Sequence, residues 1–379
     1  MEHIYNLLIY SPTFVTAWWS IILLKENKKT YPAKNFLGFF MLASAIVFFS
    51  HVIYFANDHV FYSFIDWLYT FASLSVYPLA LIYIKMLSNE KGFDIKNLLF
   101  LLPAIFFSLL TFISYLIMDN PEEFVKVVLY KKEIKFSDLP SIYKFQTVVT
   151  ITSRFVFFIQ IIIFLLLSIK EIKDYRAKVS NYYSNIEGRD LRWVNYFLIT
   201  SVITAVVSIG TNWVGRTSFL DGSYLVFIPA ILFSSLLFIL GHLGYKQEFS
   251  ISDFIKEVDA EDKAAYTSNP LEPIHNKLIN LFEDEKVFVR SDLRISELSL
   301  MLQTNRAYVS RTINEVCGCS FNDFVNKYRI EESIKLMKKD ITIDQIAEES
   351  GFSSTSSFIR VFKQFKNATP GQYRKRNFG

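Results

Sequence analysis

The chain has 379 residues, 51% of them hydrophobic, 17% aromatic and only 20% charged. Its mean hydropathy of +0.27 lies above the range of ordinary soluble domains. Thirty-eight Phe against 12 Gly excludes a disordered or Gly-rich scaffold, and two cysteines exclude a disulfide-stapled domain or a four-ligand zinc ribbon. The net charge of +4 carries meaning only when mapped along the chain, because apolar and charged residues are segregated.

Seven apolar stretches of membrane-spanning length are predicted near 5–24, 36–57, 66–87, 97–118, 146–169, 193–214 and 223–244. The first reads as a span rather than a cleaved leader, because its basic residues follow the apolar run. Lys25, Lys28, Lys29 and Lys34 fill the first connection, Lys91 and Lys96 the third, and Lys170, Lys173, Arg176, Lys178, Arg189 and Arg192 the fifth. The second has no Lys or Arg and the sixth only Arg216. This alternation predicts an N-terminus outside and the residues after 244 in the cytoplasm, with lipid as a partner. The long fourth connection, 119–145, breaks the alternation, and its alternating runs around Lys131 and Lys132 predict a small hairpin cap.

Polar residues inside such spans are costly and suggest function. His51, Asp66, Arg154 and Asn212 all fall in the outer halves of their spans. Two readings stay open. They line an outward pocket for an unknown small-molecule or peptide signal, or Arg154 snorkels to the interface and His51 bonds a neighbouring helix.

After Gly244 the composition changes. Residues 245–273 are polar and acidic, with two prolines, and read as a linker. From 274 to 379 the text is that of a helical domain with a weak internal repeat. Ile295, Leu298 and Ser299 recur 48 positions later as Ile343, Ile346 and Ala347, and Val309, Arg311 and Ile313 recur 49 positions later as Phe358, Arg360 and Phe362. Each copy predicts a helix, a turn and a second helix, which is a helix-turn-helix pattern used twice.

In the first copy Asn305 caps the second helix, Val309 and Ile313 face inward, and Arg306, Tyr308, Arg311 and Asn314 face a groove. In the second, Gly351 suits the turn and Ser353 or Ser354 caps. Phe358, Phe362 and Phe365 face inward there, leaving Thr355, Ser356, Arg360 and Lys363 outward. Ser320 to Asp323 opens a long connecting helix as a capping box, and Thr369-Pro370 starts a short last helix. From Gly351 onward there is no Asp or Glu, but there are Arg360, Lys363, Lys366, Arg374, Lys375 and Arg376. A one-sided basic surface suits a polyanion, although a plain solvated charge run has the same composition.

The segments YRIEESIKLM, IDQIAEESGF, SSFIRVFKQFK and TPGQYR, in this order and spacing, resemble the DNA-binding domain of the AraC/XylS family of bacterial transcription regulators. The resemblance spans about 275–376. Seven spans ahead of such a domain also resemble membrane-bound regulators of Bacteroidetes-type bacteria. It implies an all-α protein, a seven-helix transmembrane bundle in the bacterial inner membrane followed by a cytoplasmic domain with two helix-turn-helix units. It further implies a homodimer on double-stranded DNA, contacted through Asn305, Arg306, Tyr308 and Arg311 from the first unit. From the second unit, Ser354, Thr355, Ser356, Arg360 and Lys363 would take part. Ser299 stands where a small Ala is usual, Gln303 where a turn Gly is usual, and Asn367 where Gly often precedes the threonine–proline.

Cys317 and Cys319 read as small packing residues, and no HExxH, P-loop, GxSxG or kinase signature occurs. The expectation is a regulator without enzymatic activity, metal or cofactor. The competing reading is a receptor or transporter-like protein whose C-terminal domain binds a protein partner.

Overall fold

The computed structural model describes residues 2–26, 32–88, 93–131, 134–187, 189, 191–214, 227–246 and 271–378. These are almost all helical, and no β-strand occurs among them beyond one isolated bridge, Tyr183 with Arg294. The chain folds as two compact units. One is Met1–Ile172 with Arg192–Ile251, and the other is Lys173–Leu191 with Ser252–Gly379.

The first unit holds α1 (Glu2–Lys25), α2 (Pro32–Phe55), α3 (His59–Ser88), α4 (Leu102–Ile117), the single turn α5 (Pro121–Phe124), α6 (Ser141 to Ile172 of a helix that runs on to Ser180), α7 (Trp193–Val214) and α8 (Phe227–Tyr245). The apolar runs thus become seven long helices, six of them long and apolar enough to cross a membrane on their described residues. In α7 the shorter stretch Trp193–Val207 is apolar. A 3₁₀ stretch, Ile95–Leu101, leads into α4. α3 is the most buried, with an almost continuous buried run from Leu79 to Ser88, and packs against α2 and α4. Large apolar side chains cover the outside, including Phe64, Leu116 and Ile228 at 69%, 69% and 70% exposure. Such a surface has no favourable partner in water.

Inside the helices, small polar groups satisfy the backbone locally. Pro12 lies within α1 and cannot donate to the Leu8 carbonyl, so the Ser11 hydroxyl donates there instead at 2.8 Å. Between α4 and α6, Gln146 accepts from Ser114 and donates to Thr111.

The predicted hairpin over 119–145 is not formed among the described residues. α5 is followed by a π-helical stretch, Val125–Lys131, and a 3₁₀ turn, Phe136–Asp138. Phe124 and Val125 are both fully buried, in a cluster with Tyr54, Tyr62, Tyr115 and Met118. A strand would send these consecutive side chains to opposite faces, whereas a helical turn buries both.

The second unit contains α9 (Leu271–Glu283), α10 (Ile295–Met301), α11 (Arg306–Arg311), α12 (Phe321–Leu336), α13 (Ile343–Glu349), α14 (Thr355–Lys366) and α15 (Pro370–Phe378). α9 starts within the last residues assigned to the linker, while 247–270 lie outside the described residues. Residues 173–191, which the sequence reading left with the apolar half, group here.

The two helix-turn-helix copies are α10–α11 and α13–α14, joined by α12. Val309 and Ile313 are fully buried in the first; in the second, Phe358 and Phe362 are fully buried with Ile346, Ala347, Phe352 and Val361, and Phe365 and Tyr373 pack alongside. Their turns differ. Gly351 takes φ +87°, and a Cβ there would lie 2.6 Å from the Phe288 carbonyl oxygen and the Val289 Cα. Gln303 holds a left-handed φ of 51° with a full side chain, and Asn367 ends α14 at φ 52°.

Gly351→Ala should therefore destabilise the C-terminal unit by more than about 2 kcal/mol, while Gln303→Gly should stabilise it by about 1 kcal/mol. Urea titration followed by protease resistance of the C-terminal fragment in the full-length protein measures both.

Candidate functional site

The outward surfaces of α11 and α14 carry the residues predicted to meet DNA. Asn305 is the N-cap of α11, accepting from the Ala307 N–H at 2.7 Å. Arg306 and Tyr308 are half-buried on that helix, and Arg311 is exposed. Arg311 donates to Glu315 at 2.9 Å, a bond that pushes its pKa further up. α11 is only six residues long before a π-helical stretch, Thr312–Val316, widens it.

α14 is more regular. Ser354, not Ser353, is its N-cap and accepts from the Ser357 N–H at 3.1 Å. Thr355 donates to Asp344 at 2.6 Å, tying the start of α14 to α13, and Arg360 donates to Ser357 at 3.2 Å. Ser356 and Lys363 are exposed. All nine predicted residues therefore lie at the starts or along the outer faces of the two second helices. Ser320 opens α12 by accepting from the Asp323 N–H, and Thr342 with Gln345 forms a reciprocal capping box at α13 that the sequence reading did not single out.

The largest omission was Arg329. It is 1% exposed on α12, donating from Nε to the Phe288 carbonyl at 2.8 Å and from Nη2 to the Arg290 carbonyl at 2.6 Å. Nη2 also reaches the Ser291 carbonyl and the Ser184 hydroxyl, each at 3.3 Å, and the guanidinium lies 5.7 Å from the Phe352 ring centre. Burial lowers its pKa to about 10, with Asp292 opposing the shift, so it stays protonated at neutral pH. Val325 and Ser333, four residues to either side, are buried too. An Arg on the inward stripe of a helix was the available signal.

The segment from Tyr182 to Glu187 was also missed. The Asn322 side chain donates to the Ser184 carbonyl, Tyr182 lies under the Arg306 guanidinium at 5.5 Å, and Glu187 accepts from Ser354 at 2.9 Å. Arg189 forms an ion pair with Asp292 at 2.9 Å. Cys317 and Cys319 are free and half-buried, and burial raises both pKa values, so they remain thiols at neutral pH.

In the first unit, a cavity of about 370 Å³ brings together three of the four predicted pocket residues, His51, Asp66 and Arg154. The side chain of Asn212 lies outside the described residues. Asp66 is buried and accepts from the Tyr115 hydroxyl at 2.9 Å. Tyr69, Thr70, Ser73, Thr150 and Ser153 add polar groups, and Phe48, Phe157 and Phe233 add aromatic walls. Its size falls within the range of small-ligand pockets.

These features define a double helix-turn-helix domain on an apolar helical unit. A family profile described as a helix-turn-helix domain matches residues 298–376, and the chain carries this AraC-type domain at its C-terminal end. An uncharacterized HTH-type transcriptional regulator of Staphylococcus aureus (strain COL) is 43% identical over 84 residues, 22% of this chain and 11% of that protein. The uncharacterized HTH-type regulator YtdP of Bacillus subtilis (strain 168) is 30% identical over 131 residues, 34% of this chain and 16% of that protein. The chain thus spans a small fraction of the relatives it matches. The C-terminal domain of AraT, a response regulator from Geobacillus stearothermophilus, is 29% identical with a TM-score of 0.27, covering 29% of this chain and 89% of that one.

Arg329→Ala should lower the stability of the C-terminal unit by roughly 3 kcal/mol, because it strands buried carbonyl acceptors. Arg329→Lys should recover little, since one ammonium cannot reproduce the planar fork. Thermal melts of the three proteins, read by circular dichroism, check the order.

Proposed function

We propose that this chain is a membrane-embedded, one-component transcription regulator that binds double-stranded DNA sequence-specifically through its two helix-turn-helix units. The observation that carries the reading is α14, a capped helix with Arg360 and Lys363 on its outer side and no acidic residue from Gly351 onward. Two such helices held by one connecting helix suit successive major-groove segments. Basic side chains release counterions from the duplex. A homodimer would place two such readers on neighbouring sites.

The apolar outer surface of the first unit supports lipid as its solvent, in the bacterial inner membrane. The Lys and Arg pattern supports an N-terminus outside and a cytoplasmic reader. We assign the signal site to the cavity holding His51, Asp66 and Arg154, where a mainly apolar small molecule would leave its polar end against the charged groups. A protein-binding role for the C-terminal domain is the competing reading. It would not call for the basic side chains at Arg306, Arg311, Arg360 and Lys363.

Footprinting of genome fragments with the full-length protein in nanodiscs should reveal a protected site of about two helical turns, weakened by salt. Arg360→Ala should cost about 1–3 kcal/mol on that site and relax selection at one base position. Uniform weakening on all fragments would mean phosphate contact alone, and no protected site with any fragment would favour a protein partner.

Filling the cavity tests the sensing arm. Ser73→Trp should lock a reporter driven by the footprinted site at one level and abolish at least most of its response to growth conditions. Ile151→Phe, on an exposed face, should leave the response intact. Equal behaviour of the two variants would reduce the spans to an anchor.

A further inference from the structure

The segment joining α6 to α7 does not stay with the apolar helices but packs in the C-terminal unit. Its main chain is held there by a short antiparallel bridge. The Ser184 N–H donates to the Leu293 carbonyl and the Ile295 N–H to the Tyr182 carbonyl, both at 3.1 Å. Ser184 is a buried anchor, accepting from Asn322 at its carbonyl and from Arg329 at its hydroxyl.

Beyond the anchor the segment runs out to the reading helices. The Asn185 amide donates to the Ser353 hydroxyl at 2.9 Å. One carboxylate oxygen of Glu187, Oε2, accepts from Ser354 at 2.9 Å and from Ser353 at 3.3 Å. Ser354 is the N-cap of α14, so this carboxylate sits where a helix start favours negative charge. Before the anchor, the Tyr182 ring lies 5.5 Å from the guanidinium of Arg306, the first residue of α11. Within six consecutive residues, three side chains, Tyr182, Asn185 and Glu187, therefore engage the starts of both reading helices.

Helix starts, hydroxyls and Arg side chains are the groups by which proteins grip DNA phosphates. A carboxylate on the Ser353 and Ser354 hydroxyls and a tyrosine under Arg306 occupy the same atoms. We propose that residues 182–187 form an intramolecular competitor for DNA, in which Glu187 stands in for a backbone phosphate at α14 and Tyr182 holds Arg306. This inference rests on the DNA-reading function proposed above. The contacts at Glu187 are exposed, so docking biases affinity rather than blocking it outright. Because the segment continues covalently into α6 on one side and α7 on the other, a change in the spacing of those helices acts on it directly.

The test uses the full-length protein in nanodiscs and the footprinted DNA site, read by fluorescence anisotropy. Glu187→Ala, which removes the exposed arm and leaves the Ser184 anchor, should bind DNA roughly three- to tenfold more tightly than the wild type. Glu187→Gln, which keeps an acceptor without the charge, should fall between them. A second measurement fixes the docked state. Asn185→Cys and Ser353→Cys, in a Cys317→Ser, Cys319→Ser background, are joined by a short bifunctional thiol reagent. Joining should weaken binding by at least about tenfold relative to the same protein unjoined. Unchanged or weaker binding by Glu187→Ala, or joined protein that binds as well as unjoined, would overturn the competition while leaving the DNA reader in place. Absence of binding by the wild type and every variant would overturn the DNA reader, and the competitor with it.

Discussion

The guanidinium of Arg329 is the interaction on which the C-terminal unit depends. It projects from the helix that joins the two helix-turn-helix copies and binds the carbonyls of Phe288, Arg290 and Ser291, so the strap before the first copy cannot move independently of α12. Against the same strap, at Phe288 and Val289, the turn of the second copy closes through Gly351, where no Cβ fits. One buried cation and one missing methyl thus fix α11 and α14 to a common frame. A buried guanidinium is expensive to desolvate, and only several well-placed acceptors make it tolerable. Its value here is geometric, because a fork with five donors can hold a strap and a helix at once, which an apolar side chain cannot.

The two copies share a plan but not its quality. The second has a glycine in the left-handed turn, a twelve-residue second helix and a left-handed Asn367 to end it. The first has Gln303 forced into the left-handed turn and a six-residue helix that widens into a π-helical stretch. Left-handed backbone costs a residue with a Cβ about 1 kcal/mol or more, and π-helical turns are rare outside sites of local strain or function. In the proposed DNA complex, the load of base reading would fall on α14, with α11 positioning the domain on the backbone.

Local rules made much of this legible. Apolar runs of about 20 residues became the long helices, and the caps at Asn305, Ser320, Ser354 and Thr369 sit where side-chain chemistry placed them. His51, Asp66 and Arg154 could be grouped because polar residues inside long apolar runs are rare, and they share one cavity. The hairpin failed because alternation in 122–135 is a local signal, whereas burial of both Phe124 and Val125 is set by a cluster of tyrosines from three other helices. The partners of Arg329, and the roles of Ser184 and Glu187, were invisible for the same reason. Their partners lie between 38 and 167 positions away, and periodicity within one helix says nothing about them.

The placement of residues 173–191 bears on how the proposed signal would travel. A flexible linker relaxes any rotation along its length. A short segment fixed at both ends is different. α6 and α7 bracket it directly, and within it the Tyr175 hydroxyl donates to the Arg189 carbonyl at 2.6 Å, while Arg176 reaches the Leu191 carbonyl at 3.4 Å. These bonds close the segment into a compact loop, so a relative shift of its two helices cannot be absorbed by slack. It must appear either as broken bonds inside the loop or as movement of the Tyr182–Glu187 stretch. The second costs less, because the Glu187 carboxylate and the Asn185 amide group reach α14 through exposed contacts with the Ser353 and Ser354 hydroxyls, whereas Ser184 is held by buried ones. The weakest links therefore lie at the start of α14, the helix proposed above to read DNA.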